Sequence, residues 1–217
     1  MPPRPACSTN PRSPATTEPP APAAGSGGRY IRLAGELTLA DGAQLTWSVA
    51  DGSRGRRWRA VARVDGAITH AALLEIDLAG RPARLELTTP SGLLTLHPSA
   101  DQAEMHGNIV YAGGWGVKAL PLRWDPEREL DIAGRPLALG IGLHRRRSSV
   151  PVGATIEIDV VVIDSKLSIH TTIRRVERLS DTDWRVQALN GAVPDRLFRI
   201  DADGLPLGGE RWPLEPD

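Results

Sequence analysis

Cysteine is almost missing from this chain of 217 residues: Cys7 stands alone, which excludes an intrachain disulfide framework and a cysteine-based metal centre. An excess of either charge is missing as well. Lys plus Arg number 26 and Asp plus Glu number 26, so no global field draws the chain to nucleic acid or to an anionic membrane. Lysine is scarce: only Lys118 and Lys166 occur, a bias toward arginine that reads as genome-wide codon usage rather than as guanidinium chemistry. Long apolar runs are missing too. Nothing is long enough to span a bilayer, and residues 1 to 28 lack the apolar stretch of about 7 to 15 residues that a signal peptide needs. The expected location is therefore the cytoplasm, without stable membrane insertion. Phenylalanine is nearly absent, one Phe and two Tyr standing against six Trp. The core is left to Leu, Ile, Val and Ala, and each indole brings a polar handle that suits a half-buried site.

Recognisable catalytic motifs are also lacking. There is no Walker loop, no Gly-x-Gly-x-x-Gly after a strand, no Gly-x-Ser-x-Gly and no His-Glu-x-x-His. No cofactor is implied, and Gly25-Ser26-Gly27-Gly28 reads as linker.

What the chain does have is a turn phrase written three times: Ile76-Asp77-Leu78-Ala79-Gly80-Arg81-Pro82, Leu130-Asp131-Ile132-Ala133-Gly134-Arg135-Pro136 and Ile200-Asp201-Ala202-Asp203-Gly204-Leu205-Pro206. Asp hydrogen-bonds the backbone that follows it, Gly takes positive φ without a Cβ clash, and Pro leaves the turn extended. The copies are unevenly spaced, which argues against equal solenoid repeats and for a hairpin turn used again wherever the chain reverses.

Between the turns the apolar pattern has period two. Ile31, Leu33, Gly35, Leu37 and Leu39 share one face; after Asp41-Gly42, so do Leu45, Trp47 and Val49. Trp58, Ala60, Ala62 and Val64 oppose Arg57, Arg59 and Arg63 across the next strand. The longest alternation places Ile68, His70, Ala72, Leu74, Ile76 and Leu78 together. Leu137, Leu139, Ile141 and Leu143 read as a further strand face, as do Ile156, Ile158, Val160 and Val162. The count comes to about a dozen strands, with Thr172 to Leu179 the best place for a short helix. Strands with one apolar face must curl or stack to bury it. The expected fold is all-β: a Pro/Ala/Ser-rich disordered tail over residues 1–28, then a single antiparallel β-roll or barrel-like curled sheet over 29–217.

Phe198-Arg199-Ile200-Asp201-Ala202-Asp203-Gly204-Leu205-Pro206, with the order of strands, Asp-Gly turns and Trp residues over 30 to 212, resembles the glycolipid-binding proteins of spiral β-roll fold. The resemblance implies an open roll whose concave side holds a lipid-like ligand. It brings no site residues with it.

Candidate sites follow from position. His70 lies on an apolar face, where an imidazole must find a hydrogen bond or cost about 1–3 kcal/mol; it is either a satisfied structural residue or a ligand handle. Trp47, Trp58, Trp115 and Trp124 either line a pocket or pack a core. Arg57 and Arg59, in a basic run with Arg54 and Arg56, suit an anionic head group, or are simply a solvated strand face; His144 to Arg147 and Arg174-Arg175 are similar. Nucleic acid is not indicated, since no aromatics interleave on that basic face. His97, Glu104 and His106 flank a hairpin loop that would bring them together, yet their spacing fits no zinc motif, and no metal is expected. Three functions remain open. The chain binds an apolar or amphiphilic small molecule of lipid, glycolipid or isoprenoid type; or it is a cofactor-independent cyclase, hydratase or isomerase using His70, Glu75 or the His97 and His106 pair; or it is a structural module without a site. Nothing in the sequence bears on oligomeric state.

Overall fold

A computed structural model describes residues 31–114, 116–189 and 194–214. The tail expected over 1–28 and the candidate Trp115 lie outside the described residues. The alternating segments form strands β1 (Arg32–Thr38), β2 (Gln44–Gly52), β3 (Gly55–Val64), β4 (Ala67–Ile76), β5 (Pro82–Thr89), β6 (Gly92–Pro98), β7 (Glu104–Tyr111) and β8 (Val117–Arg123). These make an antiparallel meander, each strand paired with the next, and β14 (Glu210–Pro213) joins the outer side of β1 to give a nine-stranded sheet. A second, five-stranded sheet has the order β13-β12-β11-β10-β9, built from β9 (Glu129–Ile132), β10 (Thr155–Ile163), β11 (Ile169–Arg178), β12 (Asp183–Ala188) and β13 (Arg196–Arg199). The all-β expectation holds.

Two elements differ from the sequence reading. The stretch Leu137–Arg145 is a helix, α1, not a strand, and Thr172 to Leu179 is extended within β11 and the residue after it, not helical. The alternation in Leu137-Ala138-Leu139-Gly140-Ile141-Gly142-Leu143 is one of large and small residues, not of buried and exposed ones. Every residue from Ala138 to Leu143 is buried, because α1 lies at the meeting of two cores. Ala138 and Ile141 join the core under the nine-stranded sheet, whereas Leu139 and Leu143 join the core of the five-stranded sheet. The small residues let neighbours close in: a Cβ at Gly142 would come within 2.3 Å of a Glu129 oxygen. The curled, mostly antiparallel strands thus fall into two sheets, with α1 contributing to both cores.

β10 explains why its sequence is apolar at both parities. Val161 and Ile163 face the first core while Val160 and Val162 face the second, and β9 pairs with β10 in parallel, the arrangement that suits strands buried on both sides. The first core is large and closely filled, with Leu45, Trp47, Trp58, Leu85, Leu87, Leu94, Leu96 and Met105 all at 2% exposure or less. Each such side chain contributes about 1.5–3 kcal/mol relative to an exposed one. No helix among the described residues is long and apolar enough to cross a membrane.

Candidate functional site

The inner face of the nine-stranded sheet is where the candidate site forms, and a β-bulge sets it up. β3 and β4 pair Ala62 with His70 but Arg63 with Ile68, so Thr69 is an extra residue, its Oγ1 donating to the Ala62 carbonyl at 3.2 Å. The bulge switches faces. Ile68, expected beside His70 on the apolar face, instead sits opposite Arg63 and is 55% exposed, whereas His70 turns inward and is 4% exposed.

His70 is satisfied by a side chain and not by backbone. Arg135, in the second turn phrase, donates from Nε to His70 Nδ1 at 2.8 Å and from Nη1 to Asp41 Oδ2 at 2.8 Å. The three residues come from β4, from the turn between β9 and α1, and from the β1–β2 turn, so this chain of bonds ties three elements together. Burial, then the neighbouring Arg135 cation, push the His70 pKa down to about 4, against a weaker opposing pull from Asp41. The Arg135 hydrogen bond holds the Asp41 carboxyl below its usual range. Since Nδ1 accepts, the proton of the neutral ring is on Nε2, and no described residue takes it.

Beside this chain is a cavity lined by Leu45, Trp58, Ala60, Ala72, Leu74, Ile132, Leu137 and Ala138, with His70 and Arg135 as its polar members and Arg59 at its border. The space open to the centre of a water is about 20 Å³, enough for roughly one water molecule. Trp58 is 2% exposed and its indole N–H is buried with no acceptor among the described residues. Leaving such a donor unpaired costs about 1–3 kcal/mol.

The other sequence candidates are spread over the molecule. Trp47 packs against Trp58 with ring centroids 5.9 Å apart, one ring behind the cavity wall. Trp124 is buried in the same core but does not line the cavity. Arg57 lies on the outer face, paired with Glu75 at 2.6 Å, and exposed Arg59 shares its parity. Arg57 therefore does not share a site with the inward residues Trp58 and His70, while Arg59 lines the same cavity as they do although the residue as a whole is exposed. The basic runs divide into separate ties: Arg56 binds Asp51 at 2.5 Å and the Asp203 carbonyl at 2.6 Å, and Arg175 meets Glu157 at 3.4 Å.

His97, Glu104 and His106 do come together, on the outer face. His97 pairs with His106 in register, the rings are 6.3 Å apart, and His106 Nε2 is 3.6 Å from Glu104. Both members of that last pair are about half exposed. Among the described residues no group of three or more His, Cys, Asp or Glu is placed to hold a metal ion.

The sequence reading missed Arg135, Glu129 and Asp131. Glu129, 2% exposed, accepts from Arg145 at 2.7 Å and Arg146 at 2.8 Å. Asp131, 1% exposed, accepts twice from Arg196 Nη1, at 2.9 and 2.7 Å, and Arg196 also donates to the Arg135 carbonyl at 3.1 Å. A signal for Arg135 was present: it occupies the same place in its phrase as Arg81 in the first. Arg81 bonds its own Asp77, whereas Asp131 is already engaged by Arg196, which leaves Arg135 for His70.

No family model matches the chain, and no curated protein matches it. Among solved structures it is similar to a DUF1089 family protein from Pseudomonas aeruginosa, with 15% identity and a TM-score of 0.48 over 90% of this chain and 96% of that one.

Proposed function

We propose that the chain binds a small molecule with an apolar body and an oxygen-bearing end, of lipid, glycolipid or isoprenoid-like type, at the cavity between β3, β4 and α1, and does so in the cytoplasm. The observation that carries this reading is the buried Trp58 N–H, without an acceptor among the described residues, in a mostly apolar wall that also includes His70, whose Nε2–H has no described acceptor either. An apolar recess whose lining residues also carry N–H donors suits a hydrophobic ligand with one polar end. The space in this conformation admits a water and no more, so a larger ligand binds only where the side chains around it move apart.

Acid–base catalysis is less well supported, because each proposed acid or base is otherwise engaged or elsewhere. His70 Nδ1 has its lone pair committed to Arg135, and its Nε2 carries the proton, so the ring donates a hydrogen bond but does not abstract a proton near neutral pH. Glu75 is held by Arg57 on the outer face, where His97 and His106 also lie. Native mass spectrometry with solvent extraction of the protein from its own host tests the binding reading. The expected result is a co-purifying apolar molecule that is lost in Ala60→Phe, which fills the space. A wild-type chain that carries nothing would favour a structural module with a filled core.

A further inference from the structure

The polar groups around the cavity have a sign. Among the residues that line it, Trp58, His70 and Arg135 each carry N–H donors and no carboxylate. The one carboxylate bonded to this set is Asp41, in the β1–β2 turn. An ammonium or other donor-only head group would find no free acceptor there and would face the Arg135 cation. A neutral carbonyl or hydroxyl would satisfy one donor and leave the Arg135–Asp41 pair as it is. A carboxylate does more, since its two oxygens match a guanidinium edge and accept from the neighbouring N–H groups as well.

The two ion pairs in competition are unequal. Asp41 is 52% exposed on its side chain whereas Arg135 is 14% exposed. With its carboxylate half in water, Asp41 leaves the pair at little cost. Inside the apolar recess the same guanidinium attracts an anion through a lower dielectric. Arg135 also has an Nη2 that no described residue accepts from, and its backbone is fixed by the Arg196 bond to its carbonyl.

Resting on the binding reading above, we propose that the ligand is an apolar carboxylic acid, bound as its carboxylate, which takes the place of Asp41 on Arg135. Trp58 and His70 then donate to the second carboxylate oxygen.

The test is isothermal titration of the delipidated full chain with three ten-carbon probes: decanoate, methyl decanoate and decylamine. Decanoate is expected to bind at least about tenfold more tightly than the ester, and the amine not measurably. Asp41→Asn, which removes the competing carboxylate, is expected to tighten decanoate several-fold and to leave the ester unchanged. Arg135→Gln is expected to abolish the preference for decanoate over the ester. If ester and acid bind equally, or if Asp41→Asn leaves decanoate unchanged or weaker, the carboxylate assignment is overturned while the binding reading stands. If none of the three probes binds and the host-purified chain carries no apolar molecule, both fall together. Should Arg135→Gln fail to fold, the Asp41→Asn titration decides the question alone.

Discussion

The first and second copies of the turn phrase, around Asp77 and around Asp131, share Asp, Ala, Gly, Arg and Pro at matching places and do opposite things. At Asp77 everything is local. One carboxylate oxygen accepts from the backbone of Ala79 and Arg81 at 2.9 Å, the other from Arg81 Nε at 2.9 Å, Gly80 turns at φ +78°, and Pro82 opens β5. At Asp131 the carboxylate is buried and belongs to Arg196, Gly134 still turns at φ +75°, and Pro136 leads into α1. What differs is the surroundings: β9 is buried throughout beside β10, so its carboxylate needs a cation from another strand. The difference teaches that a turn phrase dictates the reversal of the chain but not the work of its side chains. One long-range partner for Asp131 converts Arg135 from a turn-stapling residue into the residue that holds His70.

The largest effect that separates the copies should come from the two aspartates. Asp131→Ala strands Arg196 and loosens Arg135, and removing one member of a buried pair costs about 3–5 kcal/mol; it should also shift the His70 ring signals in NMR. Asp77→Ala removes only local bonds in a half-exposed turn and should cost about 1–2 kcal/mol with the His70 signals unmoved. Urea denaturation of both variants measures the energies. Equal losses would mean that Asp131 is just another turn residue.

Acid titration gives the next effect. His70 is neutral when folded, its pKa lowered from 6.5 to about 4, so as pH falls through that window the unfolded chain takes up a proton that the folded chain refuses. Stability is fully present above pH 6.5, declines as pH falls, and by pH 4 has lost on the order of 3 kcal/mol to this group. His144, also held neutral by burial and by Arg56 and Arg147, adds in the same direction. His70→Gln should flatten the decline between these pH values, and an unchanged slope would show that burial and Arg135 do not hold the ring neutral in the folded chain. The smallest effect belongs to the shared glycine: nothing lies within 4 Å of a Cβ at Gly134, so Gly134→Asn, which tolerates positive φ, should stay within about 0.5 kcal/mol of wild type by thermal melting.

How much of this was legible depends on the range of the interaction. Hairpins, strand faces and turns were readable because period two and Asp-Gly chemistry act over a few residues. Leu137–Leu143 was misread because a helix buried on all sides has no polar face to give a 3.6-residue period, and its Gly and Ala imitate strand alternation. Ile68 was misplaced because a bulge at Thr69 has no sequence mark of its own. At the candidate site, His70 and Trp58 were visible as polar groups on an apolar face. Arg135 was not, since its partner is chosen by Asp131 and Arg196, which are remote in sequence. A fourth loop of the same build escaped notice for a simpler reason. Asp164 accepts from Lys166 and Ser168 as Asp77 does from Ala79 and Arg81, but Leu167 holds the positive-φ place at +64° where the phrase has Gly.

The pairing of β1 with β14 has a kinetic consequence. Every other neighbour in the nine-stranded sheet follows its partner directly in sequence, whereas β1 meets β14 only after the whole five-stranded sheet and α1 have intervened. Closing so long a loop is entropically slow. Until it closes, the Leu33 to Glu36 edge offers unpaired backbone to any other chain nearby. Refolding at rising protein concentration should therefore lose its yield at this one late seam, while the hairpins from β2 to β8 assemble early and without competition.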